Sequence, residues 1–156
     1  MRTAKYIEKM PSLKGKTYII TGANSGLGFA LASLLLEKEA HIIMANRNKE
    51  RSMRAHAKLL EMWPNAILSE YYYDQADTAS ILAFVQALKD HEVHFDGIIF
   101  NAGIYLPARG LKTSNNMART FGVNYYGNYV LTKALCEKGL INKKTRLVYT
   151  TSLAAY

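Results

Sequence analysis

Lys16-Thr17-Tyr18-Ile19-Ile20-Thr21 runs without a break into Gly22-Ala23-Asn24-Ser25-Gly26-Leu27-Gly28. The first six residues have the β-branched and aromatic character of a buried strand. The next seven hold three glycines. From there the apolar residues Leu27, Leu31, Leu34 and Leu35 recur at helical spacing to about residue 38. The local expectation is strand, glycine loop, helix. Glycine in such a loop permits a tight turn with positive φ and lets a pyrophosphate approach the backbone without meeting a Cβ. The helix that follows turns its free N–H groups and the positive end of its dipole toward that anion. The spacing is G-x-x-x-G-x-G rather than the G-x-G-x-x-G dinucleotide fingerprint. Taken alone, the loop therefore leaves open a turn that simply needs glycine.

Outward from this stretch, strand-like and helix-like segments alternate to the end of the chain. Strands are expected at 16–21, 41–45, 66–73, 95–101 and 146–151. Helices are expected at 27–38, 48–62, 78–91 and 114–137, the second stopped by Trp63-Pro64 and the third capped by Asp77 or Thr78. Five apolar strands separated by four helical segments predict an α/β fold, a Rossmann-like doubly wound parallel sheet with helices on both faces. No repeat, low-complexity segment or interdomain linker interrupts residues 1–156, which read as a single NAD(P)-binding domain. Ligands of such sheets bind beyond the carboxyl ends of the strands.

The residues at those ends converge on one chemistry. After the first strand stand Gly22, Asn24, Ser25, Gly26, Leu27 and Gly28. After the second come Asn46 and Arg47, where NAD-binding folds commonly place an acid for the ribose 2′-hydroxyl. A guanidinium there suits the 2′-phosphate of NADP, so NADP (NADPH) is expected over NAD; a solvated arginine at a helix start is the plain alternative. After the third strand come Asp74 and Gln75; a carboxylate here could accept from an adenine amino group, although Asp74 alone fits a turn or cap better. Asn101, Ala102 and Gly103 follow the fourth strand, and Thr150-Thr151-Ser152 the fifth, where a hydroxyl can donate to a substrate carbonyl.

Composition narrows the partners. Twenty basic and twelve acidic side chains give a net charge of +8. The basic residues are scattered except for Arg47, Lys49, Arg51, Arg54 and Lys58, which fit a small anionic ligand better than nucleic acid. No apolar run is long enough to span a membrane, and residues 1–14 lack a signal-peptide core. The lone Cys136 reads as a small buried hydrophobe on a helix, and the four histidines form no metal-binding cluster. A reducing, cytoplasmic location is expected.

With these residues on the page the chain, from Lys14 to Tyr156, resembles the short-chain dehydrogenase/reductase family. Thr21 to Gly28 is similar to its T-G-x-x-x-G-x-G cofactor loop, and Asn101-Ala102-Gly103 to its N-A-G motif. Phe121-Gly122-Val123-Asn124-Tyr125-Tyr126-Gly127 resembles its V-N-x-x-G segment. Arg146 to Ser152 resembles the strand that delivers the catalytic serine, with Thr151 in place of the usual first serine of a pair. Ala45-Asn46-Arg47-Asn48, the Phe-Gly-Val-Asn phrase and Thr151-Ser152-Leu153-Ala154 look most like the retinol-dehydrogenase-like and WW-domain-oxidoreductase-like branch. The resemblance implies carbonyl–alcohol interconversion by hydride transfer with the nicotinamide. It implies a catalytic set containing Ser152, which steadies the substrate oxygen, and Asn124, which marks a helix kink and water relay. It gives Arg47 the 2′-phosphate, Asp74 the adenine, and Asn101 with Gly103 the adenosine ribose side. It also implies a possible homo-oligomer through the long helix.

The sequence departs from the family in one respect. The family's Tyr-x-x-x-Lys acid–base pair lies roughly a dozen residues beyond the serine, and this chain ends four residues after Ser152. The string Tyr129-x-x-x-Lys133 precedes Ser152; among 11 tyrosines it reads as coincidence, with Tyr129 packed and Lys133 in solvent. The expectation is therefore the N-terminal part of an oxidoreductase, incomplete at its C-terminus after the fifth strand and inactive alone. Its substrate would be a small carbonyl or alcohol compound, apolar if Tyr105, Leu106 and Pro107 line the pocket. The alternatives are a non-enzymatic NADP-binding sensor or interaction protein, which has no use for Ser152 and Asn124, and a nucleic-acid binder driven by the positive charge.

Overall fold

The computed structural model describes residues 8–105 and 109–151. Ser152, Tyr156, Leu106 and Pro107 lie outside the described residues. Five strands form one parallel sheet in the order β3-β2-β1-β4-β5. They are β1 (Thr17–Thr21), β2 (His41–Asn46), β3 (Leu68–Tyr72), β4 (Gly97–Phe100) and β5 (Arg146–Tyr149). The connecting helices are α1 (Gly26–Glu37), α2 (Lys49–Met62) and α3 (Thr78–Asp90), then a compound helix over 119–137. That compound helix consists of α4 (Arg119–Phe121), a π turn (Gly122–Tyr126) and α5 (Gly127–Glu137).

Alternation along each strand builds a core on both faces of the sheet. Ile19 of β1, Ile43 of β2 and Ile98 of β4 pack with Phe84, Leu88, Leu131 and Leu135 on the α3/α5 side. Their neighbours Ile20, Met44 and Ile99 pack with Ala32, Leu35, Leu36 and Leu59 on the α1/α2 side. Each such isoleucine or leucine removed from water stabilises the fold by about 1.5–3 kcal/mol. The helix starts follow local chemistry: Asn48 accepts from the Arg51 N–H and Asp77 from the Ala79 N–H, so Asp77 is the cap of α3.

Four expectations need correction. The last helix starts at Arg119, not 114, because Thr113 to Asn116 form a polar turn with Asn116 at φ 60° and a Lys112–Ala118 bridge. The buried face of α1 is Gly28, Ala32, Leu35 and Leu36; Leu27, in the first turn, is 65 % exposed. Cys136 is exposed rather than buried. Tyr129 does not pack into the core but stands largely in solvent, while Lys133 does reach solvent and pairs with Glu137 at 3.5 Å.

Candidate functional site

The parallel ladder carries the strand ends to one edge of the sheet. Gly22 N–H donates to Ala45 O at 2.9 Å, Tyr73 N–H to Asn46 O at 3.1 Å, and Thr150 N–H to Phe100 O at 3.1 Å. The ends of β1, β2, β3, β4 and β5 are thereby lined up, and with them Gly22, Asn46, Asp74, Asn101 and Thr150.

Thr21 joins the first and fourth of these ends. Its side chain is fully buried and its hydroxyl oxygen accepts from the Asn101 and Ala102 N–H groups, each at 3.0 Å. Asn101 returns the contact: its amide nitrogen donates to Thr21 O at 3.1 Å and to Gly22 O at 3.3 Å. The glycine loop and the Asn101-Ala102-Gly103 segment are thus one unit. Gly22 adopts φ 70° and a Cβ on it would press on Ala102, while a Cβ on the buried Gly28 would overlap the Gly22 carbonyl and the Asn101 amide. Two glycines are fixed here by packing, not by turn preference alone. Gly26 is different: it needs glycine for φ 54° and has open space around it. Ser25, the N-cap residue of α1, makes no side-chain cap bond, so its hydroxyl is left free at the mouth of the helix.

At the end of β2, Asn46 is 4 % exposed; its amide donates to Ser52 Oγ at 2.9 Å and its Oδ1 has no partner. Such an orphaned acceptor is costly unless a donor arrives. Arg47 stands half-exposed, 3.9 Å from Asp74 Oδ1. Asp74 is itself folded into a turn, accepting from the Ala76 N–H at 2.9 Å. Gln75 is buried, and its amide is fully used within the protein: it donates to Ala102 O at 3.1 Å and Val123 O at 2.6 Å, and accepts from Tyr73 OH at 3.2 Å. Burial raises the Tyr73 pKa, which keeps that phenol a neutral donor. Gln75 therefore holds the β3, β4 and helix segments in place, and its side chain offers no free group to a ligand.

Asn124 lies in the π turn, where the Gly127 N–H donates to Gly122 O five residues back. Its side chain clasps Ile104: Oδ1 accepts from the Ile104 N–H and Nδ2 donates to Ile104 O, both at 2.9 Å. Its carbonyl accepts from Asn128 Nδ2 at 2.9 Å. Farther along, Thr132 Oγ1 lies 2.7 Å from the Tyr149 hydroxyl, and Tyr149 stacks on Phe100 at 4.2 Å. Gly103 sits against Asn124, so the fourth strand end, the π turn and β5 meet on one side of the edge. Asn124 and Asn101 are brought to the same edge; Ser152 follows Thr151 outside the described residues.

Sequence reasoning gave no role to Thr21 or Asn128. For Thr21 the signal was present: a hydroxyl at the end of an otherwise apolar buried strand must find partners.

The family profile described as short chain dehydrogenase matches residues 16–156, nearly the whole chain. The chain belongs to the short-chain dehydrogenase family. It is 35 % identical over 150 residues to the WW domain-containing oxidoreductase of Gallus gallus, covering 96 % of this chain and 36 % of that protein. It is 32 % identical over 142 residues to human retinol dehydrogenase 11, covering 91 % of this chain and 44 % of that one. A 3-oxoacyl-[acyl-carrier protein] reductase from Brucella melitensis, solved with bound NAD, superposes with a TM-score of 0.73 at 27 % identity, over 92 % of this chain and 56 % of its own. The chain spans less than half the length of these two curated relatives. Among the described residues no helix is long and apolar enough to cross a membrane, and no histidine, cysteine and carboxylate cluster could hold a metal.

Proposed function

We propose that this short-chain dehydrogenase chain is the cofactor-holding part of an NADP-dependent oxidoreductase acting on a carbonyl or alcohol. The observation that carries the reading is the packed glycine cradle, Gly22 and Gly28 against Asn101 and Ala102, with Arg47 beside it. Gly28 and Gly22 let the loop close against the Asn101-Ala102 segment, Gly26 leaves open space where a pyrophosphate can approach the backbone, and the α1 N-terminus with its free Ser25 hydroxyl supplies donors. The orphaned Asn46 Oδ1 suits a ribose hydroxyl, a donor in the right chemical class. Gly22, Asn24, Ser25, Gly26, Leu27 and Gly28 would cradle the phosphates, Asn46 and Arg47 the ribose with its 2′-phosphate, and Asp74 the adenine. Asn101, Ala102 and Gly103 would line the inner ribose, with Gln75 acting from behind as a brace.

The bound nicotinamide would supply a hydride to a carbonyl carbon or accept one from an alcohol carbon. Ser152 would steady the substrate oxygen by donating from its hydroxyl. Asn124 would hold the Ile104 loop and the turn of helix beside it. The chain spans less than half the length of the curated relatives it matches, and the role we assign to these 156 residues is cofactor binding. Exposed Tyr105 fits one wall of an apolar substrate site, and the exposed aromatics Phe121, Tyr125 and Tyr129 fit a homo-oligomeric contact. The single exposed cysteine suits a reducing compartment.

Titration of the purified chain with NADPH and NADH, read by fluorescence or thermal shift, tests the reading. Saturable binding that favours NADPH and is lost in Gly28→Ala is the expected result. A folded chain that binds neither would overturn it.

A further inference from the structure

The crossover helices of a parallel sheet run against its strands, so the edge opposite the glycine loop collects helix C-termini. α1 ends at Glu37 and α2 at Met62. Just beyond these ends, residues 39–40 and 63–67 line one cavity with Thr17 and His41, the first residues of β1 and β2. Its volume is about 650 Å³, within the range of small-molecule sites. β1 is five residues long, which sets this cavity roughly 13 Å from the glycine loop along the strand.

The floor of the cavity is apolar. Leu36 and Ala40 are buried there, and Ile67 leaves a large apolar side chain exposed at the mouth. Trp63 is half-buried, and its only polar atom is engaged: Nε1 donates to Ser33 Oγ of α1 at 3.0 Å. The indole is pinned across two helices and offers a ligand its π face.

The charge around this floor is negative. Glu37 and Glu39 stand exposed on the rim, and neither is within ion-pair distance of a cation among the described residues. Ser12 Oγ donates to Glu39 Oε2 at 2.7 Å, which steadies that carboxylate. Against these two carboxylates Lys14 is the one cation among the described lining residues. Neither α1 nor α2 has a basic residue in its last turn, whereas α3 has Lys89, so the negative ends of both dipoles add to the field. Lys38, at the cap of α1, and Glu61, in the last turn of α2, lie outside the lining and offset each other. His41 adds no charge near neutrality: its Nε2 lies 3.0 Å from Ser69 Oγ, and burial holds the imidazole below its ordinary pKa.

We propose that this cavity is a second small-molecule site and takes an aromatic ammonium compound, with the ammonium between Glu37 and Glu39 and the ring against Trp63. Carboxylates supply charge-assisted acceptors, and the indole face favours both a ring and a cation. One edge of the sheet thus presents helix N-termini to an anion, and the other presents helix C-termini to a cation. The inference stands apart from the NADP reading, since no lining residue belongs to the proposed cofactor set.

Trp63 is the only tryptophan of the chain, so its fluorescence reads the cavity directly. Three probes of similar size separate the ligand classes: phenethylammonium, 3-phenylpropionate and 2-phenylethanol. At low salt only phenethylammonium is expected to shift the Trp63 emission saturably. The pair Glu37→Gln/Glu39→Gln should weaken it about tenfold, and the charge-keeping pair Glu37→Asp/Glu39→Asp should retain most of the affinity. Both sites are exposed, and the comparison of probes on wild type needs no variant to fold. Lys14→Gln should bind phenethylammonium more tightly than wild type. In calorimetry, Trp63→Leu should lose affinity about threefold. Equal binding of 3-phenylpropionate or 2-phenylethanol would show an apolar pocket without charge selection and overturn the inference. Unchanged affinity in the Gln pair, no binding by wild type, or displacement of phenethylammonium by NADPH would overturn it too. A chain that binds NADPH and not phenethylammonium would remove this inference alone, and the reverse would remove the NADP reading alone.

Discussion

β2 and β5 are two apolar strands of one parallel sheet with opposite surroundings. In β2, His-Ile-Ile-Met-Ala-Asn, every residue after His41 is buried, between α1/α2 on one side and the α3/α5 cluster on the other. In β5, Arg-Leu-Val-Tyr, every residue is exposed: Leu147 by 36 %, Val148 by 50 % and Tyr149 by 46 %. Both are legible as strands from composition. What differs is the number of neighbours, since β2 lies between β1 and β3 while, among the described residues, β5 is a sheet edge paired only with β4. Apolar character predicts the strand; position in the sheet decides what the strand contributes to stability. The edge formed by the strand ends is correspondingly asymmetric. Its β1/β2 half is braced by buried groups, and its β5 half by the Thr132–Tyr149 contact and the stacking of Tyr149 on Phe100.

The comparison breaks if mutations in the two halves cost the same. Ile43→Ala, at the centre of β2, should destabilise by about 2–5 kcal/mol in denaturant unfolding. Thr21→Val should cost about 1–3 kcal/mol, because two N–H groups lose the hydroxyl that receives them; cofactor affinity should fall with it as the Asn101 segment loosens. A smaller effect is expected from pH. Burial lowers the pKa of His41 at the start of β2, so its contribution is present above the ordinary imidazole pKa and is lost as pH falls through the lowered folded value. Melting temperature should decline from pH 7 toward 5, and His41→Gln should flatten that part of the curve. Val148→Thr, on the exposed edge, should change stability by no more than about 0.5 kcal/mol. A large loss there would mean that β5 is covered in solution.

Strand ends could be placed because buried parallel strands read as apolar runs, and the glycine loop because positive φ selects glycine. The sequence places the start of the last helix too early because Ser114, Asn115 and Asn116 have the composition of a cap and a first turn. Only the structure shows Asn116 in a left-handed conformation that closes a separate loop. Gln75 was assigned to the cofactor because it sits at a strand end; three-dimensional packing turns its amide inward to Ala102 and Val123. The basic stretch from Arg47 to Lys58 was visible as a run, but which of its cations share a cavity depends on how α2 faces α1.

The π turn at Gly122–Tyr126 has a consequence for length rather than for chemistry. A π turn holds one residue more than the α turn it replaces, so the helix carries a spare residue at that point. Deleting one residue from this stretch would let it rewind as plain α-helix, with Leu131 still facing the sheet. The same deletion inside Gly127–Glu137 would rotate everything beyond it by about 100° and turn Leu135 out of the core. Tolerance of shortening at one place and not at the next would mark this segment, and substitution scanning would pass over it.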